Sequence, residues 1–222
     1  MSSPPPPNPR LLAALARSPS PTRAQRSRRW LLIVAASLVP TGSVLLLRGV
    51  HLGGRPRGYV ALVAAGWCTL IVGASLWTLR PGPTALGRPR PLLALASVGL
   101  PLLLLSTSLG ASVLFPETWL TPAYGSRVHL ACATLATLLA APPIGALLWL
   151  HRRSEPVKPW ATGAALGVIA ASWAGSIVAV QCPHPEPLHV AVAHVAPIAI
   201  LALVSAVIAS RLLAIRWIDP VP

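Results

Sequence analysis

The sequence is short of acid. Its 222 residues include four carboxylates, Glu117, Glu155, Glu186 and Asp219, all in loops or the tail between apolar runs. Ion-coupled transport through an acidic relay needs carboxylates inside the membrane spans, and none is there. A Ser-His-Asp hydrolase would need an acid that the apolar regions do not offer. The chain also lacks a phosphate-binding glycine loop, a dinucleotide fingerprint and a His-Glu-x-x-His pair, so we expect no enzyme. Charge of either sign is scarce: 10% of residues carry one, against about a quarter in a soluble domain. With a mean hydropathy of +0.68, an ordinary soluble domain is excluded.

What charge there is lies on 18 basic residues, for a net charge of +14. On a soluble protein that balance would suggest nucleic acid. Here the arginines sit in short segments between apolar runs and read as topology determinants, so the bilayer is the expected partner and direct nucleic-acid binding is not expected.

A hydrocarbon core of roughly 30 Å takes about 20 helical residues. Six runs qualify, at 30–47, 59–79, 91–115, 128–150, 160–180 and 190–210, and none contains Lys, Arg, Asp or Glu. They show no two-residue alternation, so helices rather than barrel strands satisfy their backbone groups in lipid. The expected fold is all-α, an integral membrane bundle of six transmembrane helices. It has a cytoplasmic segment at 1–29, a transmembrane domain at 30–210 and a cytoplasmic tail at 211–222. Six spans place fourteen Lys and Arg on the side of both termini and four on the other, which makes the termini cytoplasmic and the location the bacterial inner membrane. Trp30, Trp77, Trp149, Trp160 and Trp217 fall at the inner boundaries and Trp119 near an outer one, while Trp67 and Trp173 sit in mid-span. Ser27-Arg28-Arg29-Trp30-Leu31-Leu32 resembles a twin-arginine export signal, but no Ala-x-Ala cleavage site follows it and five more spans do. Retention is the simpler outcome.

The amino-terminal segment opens Pro-rich and then runs Arg10-Leu11-Leu12-Ala13-Ala14-Leu15-Ala16-Arg17, strong helix formers with leucines on one face. It reads either as an amphipathic stub on the inner leaflet or as a docking helix for a cytosolic partner. In the fifth span Gly163, Gly167, Ala171 and Gly175 recur every four residues, a stripe that admits close helix packing. Prolines 40, 101, 142, 143 and 197 interrupt four other spans.

Cysteine and histidine carry what chemistry the sequence offers. His51, His129, Cys182, His184 and His189 fall at or near the outer face, with Cys132 and His194 about one turn inside it; His151 and Cys68 lie elsewhere. His129 and Cys132 are three apart and share a helix face. Cys182, His184 and His189 occupy one short loop between the last two spans. Thiolate with imidazole suits copper(I) or zinc. The competing uses are a Cys132–Cys182 disulfide in an oxidising compartment and plain polar capping of helix ends.

Two stretches resemble a known family. Leu11-Leu12-x-Ala14-Leu15-Ala16, then Pro21-Thr22-Arg23 and a basic run, resembles the start of the NrsF family, six-span bacterial membrane proteins that regulate an extracytoplasmic-function (ECF) sigma factor negatively. Cys182-Pro183, then His189-Val190, His194 and Pro197, resembles its carboxy-terminal motif. Size and span count also agree with the similar light-responsive carotenoid anti-sigma factor CarR. Family members often have an acidic residue just before the amino-terminal helix, where this chain has Asn8. The resemblance implies an anti-sigma factor that holds an ECF-type sigma factor at the membrane. Leu11, Leu12 and Leu15 would then pack on the sigma factor, with Arg10, Arg17 and Arg23 facing its acidic surface. Release would follow an envelope, light, redox or metal signal. A small-molecule permease or accessory subunit is the alternative, and it would be expected to show a polar path or internal repeat; the sequence has neither.

Overall fold

The computed structural model describes residues 23–50, 55–79, 90–115, 126–152, 158–184 and 186–213. Every regular element among them is helical: α1 (Arg23–Arg48), α2 (Arg57–Leu79), α3 (Arg90–Leu114), α4 (Ser126–His151), α5 (Pro159–Gln181) and α6 (Pro187–Leu212). Four are long and apolar enough to cross a membrane, over Trp30–Arg48, Arg127–His151, Pro159–Gln181 and Pro187–Leu212. The described apolar parts of α2 and α3, Arg57–Gly73 and Val98–Ala111, are shorter. Each of the six apolar runs in the sequence lies on one of these helices.

The first candidate span begins at Trp30, where the apolar run does, while the helix that carries it, α1, begins earlier, at Arg23. Arginine is a good helix former, so the winding continues past the end of the apolar run. Its other end is set by Gly49, which adopts φ 71° and donates its N–H to the Leu45 carbonyl at 2.9 Å. A left-handed residue just past the last turn is the usual glycine stop. α5 and α6 both open on a proline in the first turn, where the missing N–H has no intrahelical partner to lose.

α5 is the axis of the bundle and touches all five other helices. It can do so because its residues are small. A methyl group added at Gly163 would collide with Ala209 and the Ser205 carbonyl of α6, and one at Gly167 would meet Ser205 Oγ at 2.7 Å and the Leu201 carbonyl at 2.9 Å. At Gly175 the nearest atom would be the His194 carbonyl at 3.5 Å. Ala171 is buried on the same helix. α1, by contrast, leans on the bundle from outside, held by polar contacts to α5: Trp173 Nε1 donates to Thr41 Oγ1 at 3.0 Å.

Candidate functional site

The last helix is not uniformly α. It starts with one α turn, Pro187–Val190, widens into a π turn over Ala191–Val195, and continues as α from Ala196. The i→i+5 bond of the wide turn runs from the Ala196 N–H to the Ala191 carbonyl. Pro197 supplies the cause. It has no N–H for the Ala193 carbonyl four residues back, and its ring would crowd that carbonyl in a regular helix; widening the turn relieves the clash. The consequence concerns two histidines five residues apart. At 3.6 residues per turn they would diverge by about 140°, yet here His189 and His194 come together, with ring centroids 5.3 Å apart.

α4 brings a second wall. His129 and Cys132 occupy one face of its first turns, and His129 Nδ1 lies 2.9 Å from His189 Nδ1, so one of the two carries the proton that the other accepts. The connection between α5 and α6 supplies the rest. Cys182 Sγ stands 3.1 Å from His189 Nε2 and 3.8 Å from Cys132 Sγ. The His184 ring meets that of His189 edge-on at 5.6 Å. Six of the seven Cys and His residues that the sequence groups toward one face, His129, Cys132, Cys182, His184, His189 and His194, thus converge at one end of the bundle; the seventh, His51, lies outside the described residues. One donor atom from each of Cys132, Cys182, His189 and His194 lies within 4.8 Å of the others.

Burial sharpens the picture. Cys182 is 4% exposed, His189 2% and His194 0%. Neither ring nitrogen of His194 has a hydrogen-bond partner among the described residues. An unsatisfied buried polar atom costs about 1–3 kcal/mol, so two on one ring point to a ligand. The two cysteines are free thiols. Their separation has a chemical meaning, since two thiolates on a tetrahedral metal at about 2.3 Å stand about 3.8 Å apart. The Cys182 thiol is held above its ordinary pKa range, first by its pairing with Cys132 and then by burial. Burial also lowers His184, which favours the neutral, ligating form of its ring. Four soft and borderline donors in this arrangement could hold zinc or copper(I).

Two residues that sequence reasoning passed over fasten the cluster to the bundle. Arg55 Nη2, at the start of α2, donates to the Cys182 carbonyl at 3.1 Å; burial lowers its pKa, opposed by Cys182 and Tyr59, and a guanidinium stays charged regardless. Gln181 Nε2 donates to the carbonyls of Val44 and Gly49, each at 3.2 Å, and so joins the residue before Cys182 to the end of α1. A cavity of ≈ 50 Å³ lined by Arg55, Tyr59, Trp67, Ser176, His184 and His194 adjoins the buried imidazole. No sequence signal marked Arg55 or Gln181, because their partners are backbone carbonyls more than a hundred positions away.

Of the residues assigned to sigma-factor contact, Leu11, Leu12, Leu15, Arg10 and Arg17 lie outside the described residues, and Arg23 opens α1. α1 runs from that end to the one at which Gln181 meets it. The Cys/His cluster therefore lies at the end of the bundle opposite the amino-terminal start of α1. No curated protein and no solved structure matches the chain, and similarity to CarR rests on the sequence expectations alone. The sequence profile of the NrsF family, described as a negative regulator of sigma F, matches residues 12–217, a span that includes all six helices and every member of the Cys/His group, and the chain therefore belongs to the NrsF family.

Proposed function

We propose that this chain is a six-span anti-sigma factor of the bacterial inner membrane with both termini in the cytosol. Its amino-terminal segment holds an ECF-type sigma factor away from RNA polymerase and lets it go when the outer Cys/His cluster takes up a thiophilic cation, zinc or copper(I). Family membership supports the regulatory class. The observation that carries the sensing step is the convergence of the cluster at the end of the bundle remote from the sigma-binding segment.

The unpartnered His194 favours a cation over a disulfide, since joining the two sulfurs would leave both of its nitrogens as they are. A cation would bind Cys132, Cys182, His189 Nε2 and a nitrogen of His194. His189 Nδ1 would then carry its proton toward His129, the outer hydrogen bond that fixes a metal-ligating imidazole. Binding expels the thiol protons and draws α4, α6 and the Cys182 loop together. Gln181, next in the chain, would pass that displacement to the end of α1, and α1 would pass it to the cytosolic segment. Such a signal works only if the cation prefers the releasing state over the holding state.

Two measurements test this separately. Pull-down of the sigma factor with wild type and with Leu11, Leu12 and Leu15 all changed to Asp should show capture lost in the variant, and equal capture refutes the docking role. A sigma-dependent reporter should respond to zinc or copper in wild type and not in Cys182→Ser. An unchanged response in both Cys182→Ser and Cys132→Ser removes the thiols from the account.

A further inference from the structure

Three of the four donors that would hold the cation are sealed in: Cys182, His189 and His194 leave almost no surface to water. Cys132 is half-buried, but it sits one turn into the span at 128–150, where in the six-span reading its open side meets hydrocarbon. A charged ion needs a wetter way in. The cavity beside His194 carries the Arg55 guanidinium in its lining and no carboxylate, so it repels a cation. His129 is half-buried too, yet exposed Arg127 stands two residues before it and its Nδ1 is engaged by His189. The connection between α5 and α6 remains.

Its sequence is Cys182-Pro183-His184-Pro185-Glu186-Pro187. A residue ahead of proline is held out of the helical region, and ψ is 124° at Cys182 and 133° at Glu186, both extended. Such a segment is stiff. It places His184 where water and site adjoin: the residue is half-buried, its ring meets that of His189 edge-on, and its carbonyl lies 3.8 Å from the Cys182 sulfur. His184 also lines the cavity beside His194. Glu186, the one carboxylate among the described residues, lies within electrostatic reach of that imidazole and draws a cation toward it.

We propose that His184, with Glu186 beside it, is the entry ligand of the site: it takes a thiophilic cation from the outer water and surrenders it to Cys182 and His189. This rests on the cation-sensing reading above and adds a residue outside the four resident donors. The transfer is a ligand exchange. The bond from the cation to the His184 nitrogen breaks as the bond to the Cys182 sulfur forms, the thiol proton leaves to outer water, and nothing is oxidised or reduced. His184 is unchanged at the end, so it sets the rate of loading and leaves the affinity alone.

Stopped-flow mixing of the full-length protein in detergent with copper(I), supplied as its acetonitrile complex, tests the assignment through the rise of thiolate-to-copper ultraviolet absorption. His184→Phe keeps an aromatic edge against His189 and removes the nitrogen. It should slow the rise about tenfold and leave the final amplitude, and the affinity from competition with a chromophoric chelator, at wild-type values. His184→Met, which restores a soft donor, should recover most of the rate. Glu186→Gln should slow loading at low salt and match wild type at high salt, where the field of the carboxylate is screened. A rise as fast in His184→Phe as in wild type, or as fast in Glu186→Gln at low salt, overturns the inference alone. So does a loss of amplitude or affinity in a His184→Phe protein that keeps the wild-type melting midpoint, which makes His184 a resident ligand. Absence of the absorption in wild type overturns the cation reading itself, and the inference with it.

Discussion

α5 and α1 are both apolar helices of similar length, and they do opposite jobs. In α5 78% of the most apolar window is buried within the protein, and in α1 6%. The difference is composition: α5 presents Gly, Ala and Ser to its neighbours, whereas α1 presents Leu and Val, with Leu46 and Leu47 among the most exposed side chains. In lipid an exposed leucine costs nothing, so burial there is decided by how closely backbones can approach rather than by hydrophobicity. A helix of small residues becomes the axis, and a helix of large ones stays at the rim. Rim helices can move without dismantling a core, which suits α1 to carrying a signal.

The comparison can be broken most severely at Gly167. Gly167→Leu forces a side chain into Ser205 and the Leu201 backbone and should cost about 3 kcal/mol or more, read as lost folded protein in a detergent thermal-aggregation assay. Leu46→Ala in α1 should leave that midpoint within the scatter of wild type. Equal sensitivity of the two helices would refute the division of labour.

A sharper probe is His194→Leu. Removing a buried imidazole with two unsatisfied nitrogens should raise or preserve the melting midpoint of the metal-free protein while abolishing any zinc- or copper-linked gain. In wild type that gain should be about 2.7 kcal/mol at a free metal concentration a hundredfold above Kd. A loss of stability without metal, or a metal-linked gain that persists, would remove His194 from the ligand set.

The pH dependence follows with its sign. His184 has its folded pKa lowered by burial, so the unfolded chain binds that proton first. The contribution is complete above the unfolded value near 6.5 and declines as pH falls below it. Metal binding by imidazole and thiolate weakens in the same direction. Denaturant midpoints measured from about pH 8 to 5.5 should therefore fall on acidification, more steeply with metal than without; a rise would contradict both assignments.

Gln181→Leu tests the link between the two ends. It withdraws the amide from the Val44 and Gly49 carbonyls and should leave metal affinity near wild type while the sigma-dependent reporter loses its response. An undiminished reporter would mean that α1 is moved by some other contact. The smallest effect belongs to Gly49→Ala, which places a side chain at φ 71° and should cost about 1 kcal/mol, seen as a small drop in the same midpoint.

Much of this architecture is written in the chain one segment at a time. The six apolar runs, the small-residue stripe of α5 and the grouping of His and Cys toward one face can each be read from spacing, because each depends on neighbours within a turn or two. The assembly of the site is another matter. Cys132 meets Cys182 across 50 positions, and Arg55 meets the Cys182 carbonyl across 127; no local period encodes either. His194 was placed near the cluster by depth alone, while what aims it there is the π turn ahead of Pro197. At α1 the apolar run tells where the span begins, at Trp30, but not where the helix does, since arginine winds it on to Arg23.

That wide turn also bears on how relatives of this chain should be aligned. A π turn is equivalent to one residue inserted into an α-helix, so five positions here do the geometric work that four would do in an unbroken coil. A homologue without the bulge could set the same two imidazoles side by side at a shorter spacing. An ungapped alignment anchored on the first histidine would then throw the second, and with it Ser205 and Ala209, the residues that seat the helix on α5, out of register by 100°. A gap placed within Ala191–Val195 keeps both the site and the seam in phase.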